Sequence, residues 1–299
     1  MTITSLAMQR RRATAGRLWK QFRSSREGMI GLAVLVVFAL MALAAPLLAD
    51  VRELNPVFAR GQGNPQWAPP SEFGPLGTDY IRRSVWAQFV WGSRVSLFVG
   101  LAATVVTIFI GSVVGIVSGF VGAKTDALLM RITEWFLVIP FLPLAIVLAS
   151  ILGRSVWNII FVIGVTSWPS TARLVRSQVL TVKQRLFVDR ARSLGAGGWH
   201  IVSRHILPNV SGLILANATL AVPISILTET TLSFLGLGDP SSASWGKTLE
   251  EAFVNGAMIR NAWWYFLPAG VGILIVVLAF TLMGRTLEEL ANPRLSRDR

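Results

Sequence analysis

Residues 187–209 read FVDRARSLGAGGWHIVSRHILPN, a charged, glycine-punctuated insert between two apolar runs long enough to cross a bilayer. Phe187, Val188, Ala191 and Leu194 recur at helical spacing and predict one apolar face of a short helix. Asp189, Arg190, Arg192 and Ser193 take the other face. Gly195, Gly197 and Gly198 end that helix, and Pro208 marks entry into the next apolar run. An amphipathic helix tethered between two spans offers a docking surface outside the lipid, or else rests on the head groups.

Working outward, 53% of the 299 residues are hydrophobic and only 14% are charged, against roughly 25% charged in soluble chains. Apolar runs at 29–49, 95–121, 127–152, 156–174, 210–237 and 262–282 predict an all-α integral membrane protein with six transmembrane helices. The uncharged run at 29–49 has 21 residues. The apolar core of a cleaved signal peptide has about 7–15, so this run reads as a retained first span. Residues 1–28 and 283–299 form polar ends, 50–94 and 238–261 polar loops, and 95–282 a core of spans two to six that holds the insert region at 177–209. Gly111 and Gly115 permit close helix approach, while Pro140, Pro143 and Pro223 predict kinks that shape a path between helices.

The formal charge of +13 raises the question of nucleic acid, but no nucleic-acid-binding motif accompanies it. With six spans both ends share one side, and 20 of the 28 Lys and Arg fall on that side, which includes the insert; 8 fall on the other. The positive-inside rule makes both termini and the insert cytoplasmic. The insert therefore faces the compartment that holds ATP.

Several motif-like features carry no chemistry. Cysteine is absent, and His200 and His205 lack neighbouring ligands, so no metal site is expected. Gly246-Lys247-Thr248 mimics the end of a P-loop, but Ser241 stands where the first glycine is needed. Gly236-Leu237-Gly238 lacks the third glycine of a dinucleotide fingerprint. The Asn209 and Asn217 sequons fall in cytoplasmic or intramembrane positions. Glu134 and Glu229, inside spans three and five, are functional candidates by default. One reading makes them a proton relay in a proton-coupled secondary transporter; the other makes them buried structural acids, since no further acid or histidine extends either into a chain.

In order and spacing, a wider set of motifs resembles the permease subunits of binding-protein-dependent ABC importers, in the dipeptide/oligopeptide subfamily and closest to its second permease subunit. The set comprises Leu76-Gly77-Thr78-Asp79, Gly92-Ser93-Arg94-Val95-Ser96-Leu97, residues 126–131 (DALLMR), Ser167-Trp168-Pro169, residues 232–238 (LSFLGLG), Ser244-Trp245-Gly246, and His205-Ile206-Leu207-Pro208-Asn209. The insert is similar to that family's coupling segment, with Asp189-Arg190-Ala191 where the family usually has Glu-Ala-Ala. The loop at Asp79-Tyr80-Ile81-Arg82-Arg83 also departs from the usual Gly before and Asp after the arginine.

The resemblance implies roles residue by residue. Phe187, Asp189, Arg190, Ala191, Leu194 and Gly195 would meet an ATPase, with Phe187 and Leu194 anchoring the helix and His205, Pro208 and Asn209 supporting it. Thr78, Asp79, Arg94, Ser244, Trp245 and Gly246 would form the face toward an external binding protein, and Glu134, Pro140 and Glu229 are candidates for the translocation path. The implied assembly is a heterodimer with a homologous permease, two cytoplasmic ATPase subunits that bind ATP and Mg, an external substrate-binding protein and the lipid of a bacterial-type cytoplasmic membrane. This chain itself would hold no cofactor and do no covalent chemistry. Peptides are the expected cargo; glutathione, nickel chelates and oligosaccharides are alternatives on the same architecture, and a poreless membrane scaffold is a different class.

Overall fold

A computed structural model describes residues 16, 19–71 and 73–291. The long helices are α1 (Arg26–Leu43), α2 (Val85–Val121), α3 (Ala123–Val138), α4 (Phe141–Leu152), α5 (Val156–Lys183), α6 (Leu186–Ser193), α7 (Gly198–Phe234), α8 (Trp245–Val254) and α9 (Trp263–Ala291). Three short turns, Ala45–Leu48, Val51–Leu54 and Pro56–Gly61, follow α1. Two isolated bridges, Ser71 with Gly74 and Thr78 with Ser84, are the only β pairing among the described residues. The fold is all-α, as composition predicts.

By length and composition α1, α2, α7 and α9 can each cross a membrane, and α3 with α4 makes a fifth crossing if the bent pair is counted as one. The apolar run at 156–174 is helical but is not among them, because Thr166-Ser167-Trp168-Pro169-Ser170-Thr171 and Arg173 dilute its hydropathy. Its polar turn is shielded by neighbouring helices: Thr166, Trp168, Pro169 and Thr171 are all buried.

Direction follows from the packing. Gly28 of α1 lies against Thr286 of α9, and Gly284 lies against Leu220 of α7. Thr104 donates to Ser225 (3.1 Å), tying α2 to α7. The start of α1 and the end of α9 therefore lie toward the end of the bundle that carries the insert, here the insert end. The two polar loops gather at the opposite, loop end.

The tightest pairing is α2 with α5. In lipid, helices gain little from hydrophobic burial against each other and depend on close packing. Gly111, Gly115 and Gly119 supply that closeness: a Cβ at each would stand 2.6 Å from Thr171 Cβ, 2.6 Å from the Ala172 carbonyl oxygen and 2.9 Å from Val179 Cγ1. The Gly111/Gly115 pair thus serves an interface within the chain. On the outside, Val105, Phe109, Val113 and Val117 of α2 are exposed, a surface suited to lipid or to another apolar helix.

Several boundaries differ from expectation, each for a local reason. Ser84 caps α2 by accepting the Ala87 N–H (3.2 Å), so the helix starts ten residues before the apolar run at 95. Pro46 has no N–H to donate and α1 stops at Leu43, short of 49. At the third run Pro140 breaks the helix instead of kinking it: Ile139 and Pro140 are both extended, and α3 and α4 meet at 91°. Pro223 does not interrupt α7. The loop at 238–261 contains α8, capped by Ser244, which accepts the Lys247 N–H (3.2 Å).

Candidate functional site

At the insert end, α6 closes with a Schellman turn. The Ala196 N–H reaches the Ala191 carbonyl (3.0 Å) and the Gly195 N–H the Arg192 carbonyl (3.0 Å), with Gly195 at φ +83°. The chain re-enters helix at Gly198, so the insert is two helices joined by residues 194–197. Residues 202–206 form one π-helical turn before Pro208, which lacks the N–H that an α-helical ladder would place there. Asn209 Nδ2 donates to the His205 carbonyl (2.7 Å) across that turn.

The anchor of α6 is Val188, fully buried with Val179, Val182, Ile201 and Ile206. Burying such a side chain contributes roughly 1.5–3 kcal/mol. Phe187 and Leu194, expected to anchor the helix, do not: Leu194 is 87% exposed and Phe187 40%. The apolar stripe is wider than the contact, and only its Val188 edge meets the bundle. Phe187 instead lies near the ring of His205, at 6.0 Å between centroids. Asp189 and Arg190 are exposed; Asp189 has one long pairing to Arg192 (3.5 Å), and Arg190 is in no ion pair among the described residues. This surface is charged, apolar at two points, and open.

The platform beneath is cross-tied by side chains. Lys183 Nζ donates to the Phe120 carbonyl (2.6 Å), closing the end of α2. Arg176 of α5 holds Asp126 of α3 through two bonds of 2.6 Å, and Ser118 of α2 also donates to Asp126. Asp126 was visible in the DALLMR motif, but its partner fifty residues away was not.

The loop end is built in the opposite sense. Thr78, Asp79, Ser244, Trp245 and Gly246 are buried, so the expectation that they contact a partner protein directly is corrected: they bond and pack within the chain. Asp79 accepts from the Ile81 N–H (2.9 Å), the Arg83 N–H (2.8 Å), Arg83 Nε (2.6 Å) and Gln88 Nε2 (2.9 Å). Burial pushes its carboxyl above the usual range, against the Arg83 charge and the amides that pull it down. Arg83 also donates to Glu251 of α8. Thr78 accepts the Ala68 N–H (2.9 Å) and donates to the Pro65 carbonyl (2.7 Å). Trp245 stacks on Phe89 (5.8 Å), meets Phe38 edge-on (5.8 Å), and donates Nε1–H to the Phe89 carbonyl (2.9 Å). Gly246 sits where a Cβ would stand 2.8 Å from Thr230 Cα. Of the six, only Arg94 is exposed, with its guanidinium over Trp91.

Glu229 is part of this frame. It accepts from Ser233 (2.8 Å) and Ser96 (3.3 Å), and Ser96 in turn accepts the Trp245 backbone N–H (3.2 Å). The acid ties α7, α2 and α8 together, and no second acid or histidine adjoins it in these bonds. It lines neither of the two cavities that lie between the ends.

Between the two ends lies a cavity of about 340 Å³, walled by α2, the α3–α4 bend, α5 and α7. Pro140 lies on its wall, with Phe136, Thr107, Ser167, Thr171 and Asn217. Asn217 donates to Thr171 (3.0 Å), while the hydroxyls of Thr107 and Ser167 are buried without a partner in the fold. A second cavity of about 480 Å³ lies one turn nearer the insert end, lined by Met130, Thr133, Glu134, Arg173, Arg176 and Ser177. Glu134 is exposed to it. Of these lining residues the sequence singles out Pro140 and Glu134, but not the hydroxyls or Arg173. The one available signal was the run of Ser and Thr around Pro169.

The sequence matches the family model for the binding-protein-dependent transport system inner membrane component over residues 111–297. It matches the model for the N-terminal TM domain of oligopeptide transport permease C over residues 15–68. It is 36% identical to the oligopeptide transport system permease protein OppC of Bacillus subtilis over 287 residues, covering 94% of this chain and 91% of that protein. To the dipeptide transport system permease protein DppC of the same organism it is 33% identical, covering 93% and 85%. To OppC of Escherichia coli K12 it is 38% identical, covering 92% and 89%.

Proposed function

This chain belongs to the family of binding-protein-dependent transport system inner membrane components, and from that premise we propose that it is the permease subunit of an ATP-binding-cassette importer that carries di- or oligopeptides. The relatives' peptide permease names support the cargo class. In this reading α1, α2, the α3–α4 pair, α5, α7 and α9 make six crossings, with the insert and both termini in the cytoplasm. The antiparallel packing of α1 on α9 and the Lys and Arg excess at the insert end support that count.

The observation that carries the mechanism is the exposure of Asp189, Arg190 and Leu194 on a helix whose buried side is locked to α5 and α7 through Val188. A partner ATPase that grips α6 moves α5 and α7 with it, and through Lys183 and Arg176 also the ends of α2 and α3. ATP and Mg are bound by two such ATPase subunits, each closing step biasing the bundle between inward- and outward-open states. A homologous permease completes the path, and the loop end, framed by the Asp79–Arg83–Glu251 cluster and Trp245, receives an external binding protein.

Uptake of a labelled tripeptide, measured with ATP depleted and the proton gradient intact, tests this reading against a proton-coupled carrier. Uptake should stop when ATP is gone, and sustained uptake would overturn the reading.

A further inference from the structure

We propose that Glu134 and Arg173 form a station for the two charged ends of a peptide in transit, Glu134 taking the ammonium and Arg173 the carboxylate; this deepens the peptide-importer reading and rests on it. The argument starts from charge. Three ionic groups line the cavity at the insert end, Glu134, Arg173 and Arg176, and Asp126 adjoins it through Arg176. Arg176 is committed, since its Nε and Nη2 each reach Asp126 at 2.6 Å. Glu134 and Arg173 remain, one anion and one cation on facing helices, and neither is in an ion pair among the described residues. A cavity with one unsatisfied charge of each sign is complementary to a zwitterion.

Position adds the second strand. Glu134 precedes Leu137 of the neutral cavity by three residues on α3, and Arg173 follows Ser170 by three on α5. One helical turn is about 5.4 Å, so the charged cavity continues the hydroxyl-lined one toward the insert end. The neutral stretch offers Thr107 and Ser167 hydroxyls without partners, and Asn217, to peptide N–H and C=O groups of any sequence. The charged stretch offers the two features that every unblocked peptide shares. Side-chain identity is ignored along both. Met130, Thr133 and Ser177 complete the lining with uncharged groups.

The test is an exchange between protein and substrate charges. The assembled importer, in proteoliposomes with saturating binding protein, is given trialanine, N-acetyl-trialanine and trialanine amide. Arg173→Gln should slow trialanine about tenfold, the worth of one charged hydrogen bond, and the amide less than twofold. Glu134→Gln should do the same for trialanine and spare the N-acetyl peptide. Equal losses for all three peptides, as a structural or lipid-binding role would give, overturn the assignment, and so does no loss. If the binding protein admits no blocked peptide, the double exchange Glu134→Arg with Arg173→Glu decides. Recovery of trialanine uptake to within threefold of the parent supports the station, and failure to recover overturns it. An unsubstituted importer that moves no peptide at all would sink the peptide reading itself, an outcome seen before any variant is made.

Discussion

The two ends of this bundle use the same residue types in opposite ways. At the insert end Asp189, Arg190 and Leu194 stand in the open on a helix fastened by one valine. At the loop end Asp79, Ser244 and Trp245 are sealed inside a network of hydrogen bonds and stacked rings. An exposed charge costs the fold nothing and is available to a partner. A buried one must be satisfied within the chain, because an unpaired buried charge is expensive. The motif residues of the insert are therefore free to serve as the contacts we propose, whereas those of the loops make their bonds within the chain. Substitutions should separate the two ends cleanly: function without stability at one, stability first at the other.

The largest effect is expected where function alone is struck. Asp189→Arg reverses the charge of an exposed residue that we assign to docking, which on that assignment costs roughly 2–5 kcal/mol of docking free energy. Peptide uptake should fall to background while the thermal stability of the purified chain is unchanged; uptake at the parental rate would refute the coupling role. Trp245→Ala attacks the other end. It removes a fully buried side chain and the indole N–H that bonds the Phe89 carbonyl, for a loss of about 3–5 kcal/mol. Thermal unfolding in detergent should show it, and a stable variant with impaired binding-protein response would reverse the comparison. Asp79→Ala strands Gln88 and two backbone N–H groups and halves the partners of Arg83, which keeps Glu251. The expected loss is about 3 kcal/mol, the lower end for a broken buried pair, read by the same unfolding measurement.

Much of the fold was legible and the limits were physical. Each apolar run located a helix, because continuous hydrophobicity at that length has few other uses. The ends of helices were not legible where a cap outweighed composition: Ser84 starts α2 within a segment containing Gln88, Ser93 and Arg94, which hydropathy alone reads as loop. The break at Pro140 was read as a kink because a proline reports a lost hydrogen bond and not the angle that follows. On α6, periodicity identifies an apolar face but not which part of it meets the bundle, and it is Val188, not Phe187 or Leu194, that is buried there. The hydroxyl-lined cavity stayed hidden because Thr107, Ser167 and Asn217 come from three helices and lie 60 and 50 residues apart along the chain.

Gly195 and Leu194 bring the comparison down to its smallest effects. Gly195 has φ +83° and open space where a Cβ would point, so Gly195→Ala introduces backbone strain alone, about 1 kcal/mol, confined to the turn after α6. Hydrogen exchange of the Ala196 amide should quicken while global unfolding barely moves; a loss of several kcal/mol would mean that the insert is part of the core.

Leu194→Ser is the finest probe. With 87% of Leu194 exposed, the chain itself should change by no more than about 0.5 kcal/mol. If the side chain is buried on docking, Ser forfeits roughly 1.5–3 kcal/mol of contact, about tenfold or more in affinity for the ATPase. The measurement is the concentration of purified ATPase needed to half-saturate the permease pair, compared with the unfolding temperature of the same preparation. Weakened binding at unchanged stability places Leu194 in the partner's cleft. Unchanged binding with reduced attachment to vesicles would put it on the lipid head groups, leaving α6 with charge alone to transmit force.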